Sequence, residues 1–216
     1  MDPSSAPGPD SFPGSFYQVF WELVSHEVVN FVQHFFINSW LLPNLNSNFV
    51  ALIPKIPEAC LISQFRPTVL ANFLFKIIPK IMADRMGKIV SRIITKHEAA
   101  FIKGGSITDC IAMVLEGVHM LDRKAFGGNV GLKFDIKKAF DTISWDFVLD
   151  VLTRFGFHNT IVNWVKIILC SAKLSILING AQNGYCACSR GVRQGDPLSP
   201  ILFCLAEEVF SRCLAH

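Results

Sequence analysis

Charge is scarce in this chain: 17% of its 216 residues are charged against 51% hydrophobic, and the first 54 hold no lysine or arginine. That balance excludes an intrinsically disordered protein and allows a sizeable core, in one domain or one and a half. The mean hydropathy of +0.39 raises a membrane reading, yet no apolar run reaches the roughly 18 residues that cross a bilayer. The longest uncharged stretch, Val28 to Pro54, is broken by Asn30, Gln33, His34, Asn38, Asn44, Asn46 and Asn48, polar groups that lipid cannot satisfy. No basic opening followed by an apolar segment marks a secretion signal, so the expectation is an intracellular protein, nuclear or cytoplasmic, without membrane partners. The seven cysteines (Cys60, Cys110, Cys170, Cys186, Cys188, Cys204, Cys213) include no Cys-x-x-Cys pair. That spacing fits neither a disulfide framework nor a zinc site and suits reduced thiols. Cys186 and Cys188, two apart in a strand-like run, share a face and are expected in the core.

The net charge of +3 conceals an asymmetry, since four acids give the first 54 residues −4 and leave +7 on the rest. A basic body suits a polyanionic partner. Along the chain, residues 1–14, rich in Pro, Ser and Gly, read as a flexible lead-in. Helical spacing of Val19, Phe20, Leu23, Val24, Val28, Phe31, Val32, Phe35 and Phe36 predicts one helix from Phe16 to Trp40, followed by a short strand over Phe49–Ile53. Lys76, Lys80, Lys88, Arg92 and Lys96 form a basic stripe opposite apolar positions, on a helix that Pro79 and Gly87 should shorten or kink. The stripe suits a solvated face and a phosphate-contacting face equally.

Further helices are expected from Ile107 or Thr108 to Leu121, over Trp145–Phe155 with Ser144 as N-cap, and over Thr160–Ser171. Strands are expected at Val130–Ile136 and Lys173–Asn179, the latter turning at Asn179-Gly180. Asp196 and Pro197 should start a terminal helix at Leu198. His97 and His119 read as the more buried histidines, but no Ser or Asp arranges any histidine into a nucleophilic triad.

Two segments are hard to explain by packing alone. In Phe134–Asp141 (FDIKKAFD), Asp135 ends an apolar strand, where a carboxylate needs a cation or a donor to offset burial. A cap or salt bridge serves that need, and so does a divalent metal. In Arg190–Pro200 (RGVRQGDPLSP), Gly191, Gly195 and Pro197 surround two cations and an amide, so the backbone can approach a ligand just before a helix; a plain strand-to-helix turn remains the other reading.

With these residues in view, the chain resembles reverse transcriptases. FDIKKAFD resembles their motif A, with an aromatic five residues after Asp135, and RQGDPLSP resembles motif B. The similarity extends upstream through Pro7–Asp10, Leu52–Lys55, Phe65–Pro67, Lys76–Ile78, Ala100–Gly104 and Gly180, most like the plant long-interspersed-element type among non-long-terminal-repeat retrotransposons. It departs from that type at Ser11, Thr68, Glu98 and Gly105.

The resemblance implies an α+β fold of fingers–palm architecture, with residues 15–129 as a helical fingers-like region and 130–216 as a partial palm carrying motifs A and B. It implies RNA-directed DNA synthesis on an RNA template and DNA primer with dNTP substrates. Asp135, with the backbone carbonyl of Ile136, would hold Mg²⁺, and Phe140 would be the steric gate against ribose. Gln194 and Gly195 would line the nucleotide pocket and the template path, and Lys55 and Arg66 would neutralise the triphosphate.

The family also carries an aromatic-Ala-Asp-Asp hairpin and a thumb, neither of which occurs in these 216 residues. The expectation is therefore a chain that is inactive by itself and that oligomerises or aggregates through an open strand edge at Val130–Ile136. Two other readings stay open: a non-enzymatic nucleic-acid-binding remnant and a pseudogene product without function.

Overall fold

A computed structural model of the protein describes residues 3–95, 106–123, 127–134, 136 and 138–214. The fold is mixed, with helices and a single four-stranded sheet. Eight helices are present among the described residues: α1 (Gly14–Val19), α2 (Trp21–Asn38), α3 (Phe73–Ile93), α4 (Ile107–Leu121), α5 (Ala139–Thr142), α6 (Trp145–Arg154), α7 (Asn159–Cys170) and α8 (Ser199–Leu214). The strands are β1 (Ser47–Pro54), β2 (Phe65–Ala71), β3 (Lys173–Ile178) and β4 (Ala181–Ala187), in the order β2-β1-β3-β4.

β1 pairs antiparallel with β2 and parallel with β3, and β3 pairs antiparallel with β4. The sheet thus joins strands from both sides of position 130. Asn179 (φ 51°) and Gly180 (φ 77°) make the tight turn between β3 and β4, because a two-residue hairpin needs left-handed backbone at both positions. Pro67 lies opposite Leu52 within β2, a position open to proline because β2 is an edge strand and needs no donor on its outer side.

The core forms where apolar stripes of α2, α3, α6, α7 and α8 meet, around Phe35, Phe75, Ile78, Val90, Leu152, Ile168, Leu202 and Leu205. α8 is its central element, buried from Ile201 to Ala206. Residues 3–13 lie along the start of α3. Gly8 sits so near Asn72 that a Cβ there would come within 2.3 Å of the Asn72 amide nitrogen, and the Asp10 N–H donates to Asn72 Oδ1 at 3.1 Å.

Several expectations need correction. The single helix over Phe16–Trp40 is two, divided at Phe20, whose backbone (φ −101°, ψ 20°) leaves the α region while its ring packs 5.1 Å from that of Phe16. α3 runs through Pro79 and Gly87 without being shortened at either. The strand expected at Val130–Ile136 is absent from the described residues of that span: 130–134 and 136 have no ladder partner. Alternation specifies a strand only where a neighbour takes the backbone hydrogen bonds. The exposed strand edge proposed for oligomerisation therefore does not exist there; the sheet's edges are β2 and β4. Cys186 is exposed on β4 rather than in the core, and His119 is exposed on α4; His97 lies outside the described residues. No helix among the described residues is long and apolar enough to cross a membrane.

Candidate functional site

Residues 140–145, at the end of FDIKKAFD and just after it, dock on Gly191 and Val192 of RGVRQGDPLSP, some 50 positions away, through hydrogen bonds to main-chain groups. The Val192 N–H donates to the Phe140 carbonyl at 2.7 Å, and the Gly191 N–H to that of Ile143 at 2.8 Å. Trp145 Nε1 closes the contact by donating to the Gly191 carbonyl at 2.7 Å. Glycine is required at 191: φ is +84°, and a Cβ would lie 2.7 Å from the Asp141 carbonyl oxygen. The side chain would both strain the left-handed backbone and push the segments apart.

The turn that follows is held from below by Arg193, whose side chain is 12% exposed. Its guanidinium donates to Asn46 Oδ1 and to Asn48 Oδ1, pairs with Asp196 Oδ2 at 2.9 Å, and lies over the Phe75 ring at 4.7 Å from the centroid. Burial pulls the Arg193 pKa below its ordinary value, and Asp196 and Cys188 act against that. The amides are fixed in turn, since Asn46 Nδ2 donates to Ser171 Oγ and the Ile168 carbonyl, and Asn48 Nδ2 to the Asn46 carbonyl. Asp196 Oδ1 accepts the Leu198 N–H at 2.9 Å, an Asx turn just ahead of the terminal helix, which begins at Ser199 and not at Leu198 as expected. Sequence reasoning missed Arg193, Asn46 and Asn48. The available signal was two amides at period two opening a strand, which puts both on one face and calls for a buried donor.

Above this network lies a cleft of about 500 Å³. Its floor is one face of the sheet, with Val50, Pro67, Val69, Leu174, Ile176 and Cys186, and its walls include Asp141, Trp145, Gly191, Gln194 and Leu202. Gln194 and Gly195 are exposed at the turn.

The other expected site residues divide. Phe140 is half-buried, its ring stacked on Phe203 at 4.5 Å between centroids and 19° between planes. Arg66 is exposed and alternates with Pro67, so it points to the sheet face away from the cleft. Lys55, exposed beyond the end of β1, donates from Nζ to the Ser63 carbonyl at 2.9 Å. Ile136 is exposed. Asp135 lies outside the described residues. Among the described residues no cluster of three or more His, Cys, Asp or Glu could hold a metal ion. The cleft carboxylates there are Asp141 and Asp196, and Asp196 is committed to Arg193, so these residues alone do not fit a metal centre.

Glu208 on α8 is fully buried and serves structure. It accepts from Thr95 N–H and Oγ1 and from Arg212 Nε, while Arg212 also donates to the Ile93 carbonyl at the end of α3. Burial works to raise its pKa, but the bonds from Thr95 and Arg212 outweigh that and hold the carboxyl below its usual range.

Comparison with known proteins agrees with this geometry. Residues 53–216 match the family described as reverse transcriptase (RNA-dependent DNA polymerase). The chain is 27% identical over 210 residues to the transposon TX1 uncharacterized 149 kDa protein of Xenopus laevis, covering 97% of this chain and 16% of that protein. It is 28% identical over 162 residues to a retrovirus-related Pol polyprotein from the type-1 retrotransposable element R2 of Nasonia vitripennis, covering 74% and 16%. A Pol polyprotein from an R2 element of Popillia japonica is 29% identical over 175 residues, covering 81% and 24%. The chain thus spans a quarter or less of the length of these relatives. It belongs to the reverse transcriptase family, as part of a domain of the kind carried by non-long-terminal-repeat retrotransposons.

Proposed function

We propose that this chain supplies the fingers and part of the palm of an RNA-directed DNA polymerase, and that the cleft beside Gln194-Gly195 receives the incoming deoxynucleotide against a template strand. The family works with template, primer and nucleotide substrates, and residues 15–129 and 130–216 would divide as fingers and palm. The observation that carries the reading is the hydrogen bond from Val192 N–H to the Phe140 carbonyl, which joins the end of FDIKKAFD to the residue just before RQGDPLSP, with Asp141 and Gln194 on one cleft. Nothing in a plain strand-to-helix turn requires two distant segments to share a cavity.

In this reading Phe140, stacked on Phe203 and next in sequence to Asp141 of the cleft wall, is the ring we assign to policing the sugar. A ring braced by a stacked neighbour holds its position and excludes a 2′-hydroxyl by volume. Gln194 presents amide donor and acceptor groups at the mouth, whereas Arg66, on the sheet's other face, and Lys55, beyond the end of β1, stand outside this cleft and would meet a triphosphate only if it extended past the cleft's rim. Reverse transcriptases use a divalent metal. Asp135 and the Ile136 carbonyl are the groups we assign to Mg²⁺, with acidic partners that the 216 residues do not contain.

The test is nucleotide binding and primer extension by the 216-residue chain. We expect dTTP to bind in the presence of Mg²⁺, Gln194→Ala to weaken it about tenfold, and no extension of a DNA primer on RNA. Nucleotide binding that is absent, or that is indifferent to Gln194→Ala, would refute the assigned pocket. Robust dNTP incorporation would refute the inactivity of the chain alone.

A further inference from the structure

Lys76 and Lys80 lie one turn apart on α3 in different settings. Lys80 is half-buried like Lys76, but its ammonium is held by Asp84 at 2.7 Å. Lys76 is half-buried and lines a notch of about 10 Å³ together with Arg193, Gln194, Gly195 and Asp196. Among the described residues its ammonium makes no hydrogen bond. Burial lowers the Lys76 pKa from the ordinary lysine value, while Asp196 and Asp10 act the other way and Arg193 adds to the lowering.

Those acids are committed elsewhere. Asp196 bonds Arg193 and the Leu198 N–H, and Asp10 Oδ1 accepts the Phe12 N–H at 3.1 Å. On its outer side the notch is open, since Gln194 and Gly195 are exposed and no atom lies within 4 Å of where a Cβ on Gly195 would stand. A half-dehydrated ammonium with unused donors gains most from a strong anionic acceptor. The space admits roughly one oxygen-sized group, which suits a single phosphate oxygen better than a triphosphate.

We infer that Lys76 and the Gln194-Gly195 turn form a subsite for one phosphodiester oxygen of a bound nucleic-acid strand; the inference rests on the reading in which that turn lies along the strand's path. The subsite picks out one position of the basic helix as a contact and leaves its neighbour Lys80 as a residue already paired with Asp84.

Fluorescence anisotropy of a labelled single-stranded RNA with the 216-residue chain, over a series of salt concentrations, tests this. Lys76→Met should weaken binding about fivefold near 0.1 M salt and flatten the slope of log affinity against log salt by about 0.7. Lys76→Arg should bind within twofold of the parent, as should Lys80→Met. Binding of Mg²⁺ and dTTP should not change in Lys76→Met. Its melting temperature should hold or rise, because a thioether replaces a partly dehydrated ammonium; should it not fold, Lys76→Gln carries the same comparison.

The subsite is overturned if Lys76→Met binds RNA like the parent, or if Lys80→Met loses as much, which would mean a diffuse basic field. Loss of dTTP binding instead of RNA binding also overturns it and names the triphosphate as the source of the phosphate. A parent chain that binds no RNA removes the underlying reading and the subsite with it, an outcome distinct from binding that ignores Lys76.

Discussion

Replacing Arg193 with methionine would remove the cation while keeping most of the side chain's length against Phe75. It would leave the Asp196 carboxylate, 7% exposed, without its partner, and the Oδ1 atoms of Asn46 and Asn48 without the donor that now bridges them. Breaking a buried pair from one side costs about 3–5 kcal/mol. The Leu198 N–H still reaches Asp196 and the thioether still packs on the ring, so the lower end, about 3 kcal/mol, is expected.

With a urea m-value of about 2 kcal/mol/M, the unfolding midpoint followed by circular dichroism should fall by about 1.5 M. Arg154→Met serves as the control: its pair with Asp150 is shorter, 2.7 Å against 2.9 Å, but 78% and 57% exposed, and its loss should move the midpoint by less than about 0.3 M. Adding Asp196→Asn to Arg193→Met should recover about 1 kcal/mol, because the uncompensated charge disappears. A loss below about 1 kcal/mol for Arg193→Met, or no recovery in the double variant, would show that the guanidinium does not organise the turn.

Two further substitutions probe the frame around the cleft. Glu208→Gln should cost about 2 kcal/mol at neutral pH, and the cost should vanish on acidification. The folded pKa of Glu208 lies below its unfolded value, so its contribution is present above the unfolded pKa and is lost as pH falls through the folded one; parent and variant melting curves that stay parallel from pH 7 to pH 3 would refute this. Gly191→Ala should destabilise by about 2 kcal/mol and loosen the docking of Phe140 on Val192, seen as faster amide hydrogen exchange at Val192; unchanged exchange would mean the two segments do not depend on that close approach.

What the sequence disclosed was local chemistry that needs no distant partner. Ser144 accepts from the Phe147 N–H at the start of α6, Asn179-Gly180 turns the hairpin, and Asp196 makes an Asx turn ahead of α8, each legible from two or three adjacent residues. What it concealed was decided far away. The alternating run at 130–136 has the pattern of a strand but no neighbour to pair with in the described residues, and β2 was hidden by Pro67, which only an edge position tolerates. The same division holds at the site. The motifs located the Gln194-Gly195 turn, whereas the charge beneath it could not be assigned, because Arg193 and Arg190 look alike in sequence and only the fold buries one of them. That Lys76 and Lys80 part company has the same origin: helical periodicity sets them on one stripe, and then the fold puts the first beside the Gln194-Gly195 turn while Asp84 pairs with the second.

The parallel pairing of β1 with β3 has a consequence for how the chain is made. Asn48 and Lys173, bonded across that ladder, stand 125 positions apart, so on the ribosome the β1–β2 hairpin emerges long before its central partner exists. Until β3 arrives, one flank of β1 is an unpaired template open to other nascent strands, and closing so large a loop is slow. Yield of this protein in a cell should therefore depend on translation speed and on holding chaperones as much as on the strength of the finished fold.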